Sequence, residues 1–504
     1  MARMSRMDAA FLAMERPDQP GHLGTVMIFR PSDEGPLTYD VVMDAVAERL
    51  PLVPSARRVV AEVPLGLGRP SWAVSRAFDL EYHVRHTALP RGGGDAALGR
   101  LVGHTHAIQL DRARPLWELW VIEGLSGDRV ALYSKVHVAA IDDRTGAELM
   151  TALLDIEAEG RPAVPPSEPE ASAAGGARGA LDGVSRLVAP MPDQLRWAAG
   201  FPGRLAERAL RAAGEQWPGL RETAVEITQR TPVLGAVANL LPTGKAGDLL
   251  DEHPTGRAPR LSFNAPITAH RRFALERLPI ESILAVKHAA GTTFNDVVVA
   301  VCAGALRRWL LAHDELPSSP LVALVPVLVT GASGRREDAH VAGLVASLPT
   351  NISGPAERLA RTHDALAVAK ERHTAVPASL LQDMSMFAPP AVAAIAGRFV
   401  DALPHRSFIS PAVNVAITNV PGPRRPVHLA GRQLESSHPA LSINDLAPVH
   451  IGMQSGSDVV GLGAVSCRDN LDDLGDLLAA APLELAELVD AVAGRAARAG
   501  ATRR

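Results

Sequence analysis

The sequence predicts an α/β protein of two lobes joined by a long crossover segment. Three observations carry that expectation. The 504 residues exceed what one ordinary hydrophobic core holds, so two domains or more are expected. Strand-like apolar runs alternate with helical periodicity both before residue 160 and after residue 260. Between these blocks, "GRPAVPPSEPEASAAGGARGA" (160–180) is rich in Pro, Ala, Gly and Glu and keeps no apolar period, so it reads as a linker. The expected division is 1–159 for the first lobe, 160–259 for linker and helical crossover, and 260–504 for the second lobe.

In the first block "HLGTVMIFR" (22–30) and "RVALYSKVHV" (129–138) read as strands, and "YDVVMDAVAERL" (39–50) as a helix. "RPLWELWVIEG" (114–124) has apolar side chains on several faces and reads as a buried connection, with Trp117 and Trp120 in the core. "TGAELMTALLDI" reads as a further helix, its start set by Thr145 and Glu148 in a capping-box pattern. In the crossover, Arg196, Arg204, Arg208 and Arg211 accompany Trp197, Phe201 and Leu205. A helix packed on the protein is the favoured reading there, and a helix lying on a lipid surface the alternative. The second block offers helices at "PIESILAVKHAA" (279–290) and "FNDVVVAVCAGALRRWLLAH" (294–313). Its strands are "LVALVPVLV" (321–329), "AVNVAITNV" (412–420), "PVHIGMQSG" (448–456) and "VVGLGAVSC" (459–467).

Composition narrows the function classes. A net charge of −4 gives no basis for nucleic-acid binding. Only four of the 51 basic residues are Lys, a bias that fits high-GC coding and is not read as function. Two cysteines, Cys302 and Cys467, exclude a disulfide framework and a Cys-based zinc site. Both lie in apolar stretches and are expected as buried, inert thiols. The amino terminus lacks a secretory h-region, and the longest apolar runs, such as Val297 to Leu306, fall short of the ~20 residues that span a bilayer. A soluble or peripheral, cytoplasmic protein is expected.

Most short motifs fail on spacing. His104 and His106 have no third ligand nearby, so no metal site is expected. "GLGRP" does not complete a dinucleotide fingerprint, and there is no G-x-S-x-G elbow or P-loop. Asn295 and Asp296 open a helix, where Thr293 with Asp296 fits a capping arrangement better than chemistry. "NVPGPRRP" (419–426) is a rigid turn around Gly422 or a ligand contact, and both readings stay open. "KVHVAAIDDRTGAEL" (135–149) is denser in titratable groups than its surroundings. It places His137, Asp142 and Asp143 at a strand end and in the loop leading to a helix.

Taken in order, "MSRMDAAFL", "DRARPLWELWVIEGL", "SKVHVAAIDDRTGAEL", "FNDVVVAVCAGALRRWL", "SLPTNI" and "ITNVPGPRRP" resemble the bacterial wax ester synthase/diacylglycerol acyltransferase family. The fragments span most of the chain. The resemblance implies two chloramphenicol-acetyltransferase-like lobes, which agrees with the two α/β blocks. It also implies acyl transfer from acyl-CoA to diacylglycerol or a long-chain alcohol, with acyl-CoA as substrate and no cofactor or metal. Candidate substrate-binding residues carried over are Pro115, Leu116 and Trp117, Asn295 and Asp296, and Asn419, Pro421, Gly422 and Pro423. Greasy substrates imply association with a membrane or lipid-droplet surface as an alternative to a free cytoplasmic protein. Condensation domains of peptide synthetases share one signature with the family, but the fragments outside that signature are similar to wax ester synthases.

The family signature is His-His-x-x-x-Asp-Gly, and here it reads "HVAAIDD". His137 matches the first His and Asp142 the Asp. Val138 occupies the general-base position, and Asp143 stands in place of Gly. A second departure is "AHVA" (339–342), where relatives commonly carry Asn-Arg-Val-Ser. By the resemblance, the second His removes the alcohol proton and then protonates the CoA thiolate, chemistry suited to a pKa near working pH. Valine does neither. In an extended segment His137 points away from position 138, so a structural role is expected for it. Asp142 is expected to hold the site through a buried charge contact. Asp143, in an apolar tunnel, is a candidate base of raised pKa. The leading expectation is an acyltransferase of low activity, and the alternative is an inactive acyl-CoA- or lipid-binding homologue.

Overall fold

Two six-stranded sheets collect nearly all the alternating apolar runs. The computed structural model describes residues 2–33, 35–63, 69–140, 152–156, 258–329, 340–375 and 413–501. All of them belong to one unit, Met1–Val164, Arg257–Gln382 and His405–Arg504; the second unit, 165–256 with 383–404, lies outside the described residues. So do the linker, the Arg-bearing crossover helix, the Thr145–Glu148 capping pattern, Asp142 and Asp143.

Before the crossover the strands are β1 (Ala2–Arg3), β2 (His22–Phe29), β3 (Arg58–Ala61), β4 (Ser71–Val74), β5 (Val84–Gly93), β6 (Trp117–Leu125) and β7 (Val130–His137). The helices there are α1 (Arg6–Met14), α2 (Tyr39–Arg49), α3 (Leu80–His83) and α4 (Asp95–Ala107). After it come β8 (Arg271–Pro279), α5 (Ile280–Ala290), α6 (Phe294–Ala312), β9 (Leu321–Val329), β10 (His340–Leu348) and α7 (Pro355–Ala375). The chain then runs through β11 (Val415–Val420), β12 (His428–Leu429), β13 (Arg432–Ala440), β14 (Val449–Ser455), β15 (Val459–Cys467) and α8 (Leu474–Ala501). The first sheet has the order β12-β13-β2-β7-β6-β5 and the second β10-β9-β11-β14-β15-β8. A small third sheet, β1-β4-β3, flanks them in the topology.

Two strands from the segment expected to form the second lobe, β12 and β13, belong to the first sheet. Antiparallel pairing sets His438 opposite Val26 and Ala440 opposite Gly24. The far side of β13 presses on the second sheet through glycines: a Cβ at Gly461 would lie 2.1 Å from the Ser437 carbonyl oxygen, and one at Gly463 2.1 Å from that of Pro439. Backbone approach that close leaves no room for any side chain. One strand thereby joins both sheets.

The Trp117–Trp120 stretch is corrected from a connection to strand β6. Side chains three apart on a strand face opposite ways, so Trp117 enters the cluster around α2 and Trp120 packs against the cluster on the other face. Trp120 is half-buried beneath the Arg85 guanidinium, 5.3 Å from its ring centroid. In the second lobe α6 is buried along nearly its whole length, which explains its lack of a polar face. Among the described residues no single helix is long and apolar enough to cross a membrane.

Candidate functional site

Strand β7 sorts its side chains by parity. Val130 and Leu132 enter the cluster around α2, with Val136 packed against it, while Ala131 and Tyr133 face the cluster that includes α4. Lys135 and His137 follow on that second face, so it ends in polar heads that need partners in the interior. Lys135 is fully buried. Its Nζ donates to the Ile108 and Thr105 carbonyls at 2.9 and 3.3 Å, past the end of α4, and lies 3.2 Å from Glu118. Burial lowers the Lys135 pKa, and Glu118 opposes that shift.

His137 closes the strand. Its backbone N–H donates to Leu116, and the Val138 N–H donates to Gly21, after which Val138–Ala140 turn away as a short 3₁₀ helix. The His137 ring is engaged on one side: Nδ1 accepts the Ala139 N–H at 3.0 Å, so a neutral ring carries its proton on Nε2. Nε2 lies over Gly21, where a Cβ would come within 2.6 Å, and 3.7 Å from Glu15 Oε2. Glu15 also accepts from the Gly21 N–H at 3.0 Å and from Arg112 Nη2 at 2.8 Å. Burial pushes the Glu15 carboxyl up, but His137, the Gly21 N–H and Arg112 outweigh it and hold the pKa at about 2. Val138 is half-buried beside this cluster and adds nothing that titrates.

Opposite His137 on β2 stands His22. Its Nε2 bonds the His106 carbonyl at 2.7 Å, and its ring lies 4.7 Å from that of His106. The Tyr133 hydroxyl bonds His106 Nδ1 at 2.7 Å, and His106 is further hydrogen-bonded to the Leu441 backbone. Burial takes His106 down to about 3, so it is neutral. The His104–His106 pair is thus divided: His106 faces inward and His104 is exposed.

The other sequence candidates lie in separate places. Leu116 is buried with Met4, Leu12 and Ala139, directly under the turn after His137. Pro115 is buried ahead of it. Trp117 turns the opposite way, donating from Nε1 to Ala56 at 2.7 Å and stacking on His83. Asp296 completes a capping box with Thr293 at the start of α6 and takes a 2.7 Å contact from His363 Nδ1, beside a half-buried Asn295. Asn419 is the penultimate residue of β11, and Pro421 to Pro423 turn the chain so that the Gly422 N–H donates to Ser455 Oγ at 3.2 Å. A Cβ at Gly422 would overlap the Ser455 carbonyl, so that glycine answers to backbone approach. Cys302 and Cys467 are both free and buried, and burial pushes the Cys302 thiol up to about 12.

Sequence reasoning passed over Glu15, Gly21, His22, Arg112, Thr418 and His450. Arg112 and Thr418 lie in fragments already singled out, and Glu15, Gly21 and His22 in "MERPDQPGH", but no local pattern pairs any of them with positions 137 or 450.

Comparison with known proteins places this geometry. The wax ester synthase/diacylglycerol acyltransferase catalytic domain matches residues 4–298, and the C-terminal domain of the same family matches 339–488. A Mycobacterium tuberculosis protein, Rv1760, which carries the provisional name of a diacylglycerol O-acyltransferase, is 34% identical over 97% of this chain and 90% of its own. The O-acyltransferase WSD of Acinetobacter baylyi is 29% identical over 95% of each chain. The wax ester synthase/diacylglycerol acyltransferase of Marinobacter aquaeolei VT8 superposes with a TM-score of 0.66 at 28% identity, covering 97% of this chain and all of the other. The two sheets are accordingly chloramphenicol-acetyltransferase-like lobes.

Proposed function

The chain belongs to the wax ester synthase/diacylglycerol acyltransferase family, and we propose that it transfers a fatty acyl group from acyl-CoA to the hydroxyl of diacylglycerol or a long-chain alcohol. Acyl-CoA enters as substrate, and the reaction asks for no redox cofactor. Membership along both lobes and the names of the relatives support the reaction class. Greasy acceptors support a working place at a membrane or lipid-droplet surface.

One observation carries the finer reading. At the end of β7 the imidazole present, His137, has Nδ1 occupied by the Ala139 N–H and Nε2 enclosed between Gly21 and Glu15, while the next side chain is Val138. No base stands at position 138. General-base help is worth roughly 10²–10⁴-fold, so the chain either draws it from another residue or turns over slowly on the positioning of two bound substrates alone. Asp142 keeps the charge contact that the resemblance implies, and Asp143, which stands where the family has Gly, stays a candidate base on its own chemistry.

Val138 also favours a second reading, an acyl-CoA- or lipid-binding homologue without chemistry. Transfer of labelled palmitoyl from CoA to diacylglycerol and to hexadecanol, by wild type and Val138→His, separates the two. Ester from either protein supports the acyltransferase. Palmitoyl-CoA binding with no ester from both leaves the binding protein.

A further inference from the structure

Strand β14 has the same parity logic as β7. Val449, Ile451 and Met453 enter the helical core of the second lobe. His450, Gly452 and Gln454 therefore face the first lobe, and the contacts bear this out: a Cβ at Gly452 would meet Pro439 and Leu441, and Gln454 bonds Ser437. On the neighbouring β11, Val415 and Ile417 point into that helical core, which leaves Thr418 on the same face as His450.

His450 is built as a base. Its Nδ1 lies 3.0 Å from the Ser442 carbonyl, which only accepts, so Nδ1 carries the proton. Nε2 is left as a lone pair, 2.7 Å from Thr418 Oγ1, whose hydroxyl donates to it. Hydroxyl, imidazole and orienting carbonyl thus stand in a line, the arrangement that activates an oxygen for acyl chemistry. Both side chains are half-buried, not sealed. Burial holds His450 down at about 4, so its ring is neutral in the resting protein.

The carbonyl that orients this ring lies on the segment that leaves β13 of the first sheet. Ser442 follows β13, whose Ala440 lies opposite Gly24, two residues from His22. His22 is directly opposite His137. The adjoining Leu441 backbone is bonded to His106, whose ring is 4.7 Å from that of His22. β13 and β7 are two strand spacings apart, about 10 Å.

We propose that His450, through the Thr418 hydroxyl, is the proton acceptor for acyl transfer in this chain; the inference rests on the acyltransferase reading above. The alcohol oxygen attacks the thioester carbonyl as its proton passes to Thr418 Oγ1 and the Thr418 proton passes to Nε2. The C–O bond forms and the C–S bond breaks. The imidazolium then returns its proton by the same path to the CoA thiolate, leaving ester, free CoA and a neutral ring.

The test measures palmitoyl transfer to hexadecanol by the full chain, with melting temperatures and palmitoyl-CoA binding recorded for every variant. Wild-type turnover should fall roughly 10²–10⁴-fold in His450→Gln. Thr418→Val, which is near-isosteric and leaves the ring, should fall strongly as well, and Thr418→Ser should restore most of the rate. If His450→Gln does not fold, the two Thr418 variants decide. Turnover within about twofold of wild type in Thr418→Val overturns the proposal. A silent wild type with an active Val138→His overturns it too but keeps the acyltransferase reading, and silence in both ends that reading as well.

Discussion

The two lobes each bring an imidazole to their shared layer, and the two rings are held in opposite ways. At His137 the backbone N–H of Ala139 occupies Nδ1, and Nε2 is closed in by Gly21 and Glu15. At His450 a carbonyl occupies the N–H side and a hydroxyl faces the lone pair. The first ring is a structural member of an ion cluster. The second has the tautomer and the oxygen partner that proton transfer requires. Burial separates them in part, His137 being enclosed and His450 half-buried, and the identity of the atom on Nδ1 completes the distinction.

The comparison depends on the lobes meeting through β13, so the largest effect comes from prising that strand off the second sheet. Gly463→Ala drives a methyl into the Pro439 carbonyl, and its neighbours are backbone that cannot swing aside. A loss of more than about 4 kcal/mol, or no cooperative melt, is expected. Gly475→Ala is the control, since a Cβ there meets nothing within 4 Å. Equal melting temperatures for the two variants would show that the β13 contact does not hold the lobes together.

Next in size is the ion cluster itself. Glu15→Gln leaves the buried His137 Nε2 facing no charge and takes from the partly exposed Arg112 the nearer of its two carboxylates, Glu62 remaining. With Arg112 partly exposed and still paired, the loss should be about 2–3 kcal/mol, read from urea melts. His450→Gln, with no buried charge to strand, should lose only about 1–2 kcal/mol. A reversal of that order would assign the structural role to His450.

The same residue predicts a pH window. The Glu15 carboxyl lies at about 2 when folded against an ordinary 4.5, so the unfolded chain binds the proton more readily. Its contribution, about 3 kcal/mol, is complete above pH 4.5 and is lost as pH falls to about 2. His106, His438 and His450, lowered by burial to about 3, 4 and 4 from 6.5, add a loss that begins earlier, below pH 6.5. Acid melts of Glu15→Gln should keep the histidine loss and lack the Glu15 share of the loss below pH 4.5. An unchanged curve would mean that Glu15 is not held down by its partners.

How far the sequence carried this picture follows from the range of each interaction. The capping box of Thr293 and Asp296 was legible because three residues suffice to define it. Strands β2, β7, β9, β11, β14 and β15 were legible as short apolar runs, whereas β5, β8 and β10 were not read and β6 was read as a connection. The membership of β13 was not: "RQLESSHPA" alternates too weakly to read as a strand, and pairing with β2 joins residues some 400 apart. Val138 was legible as a departure from a motif, whereas Glu15 beside His137 and Thr418 beside His450 are products of the fold. A lone His in "PVHIGMQSG" carries no sign of the hydroxyl it will meet.

The smallest effect sharpens what Asp296 does. It was carried over as a substrate contact, yet its Oδ2 accepts the Thr293 N–H at 2.8 Å and lies 2.7 Å from His363 Nδ1. Two partners on one carboxylate oxygen, with the residue 1% exposed, leave little of it for a ligand. Asp296→Ala should then cost about 1–2 kcal/mol through the lost cap, seen as a lower melting temperature. The loss should be the same with and without palmitoyl-CoA, because a cap belongs to the helix and not to the complex. An unchanged melting temperature combined with weakened palmitoyl-CoA binding would return Asp296 to the substrate and leave Thr293 to cap α6 alone.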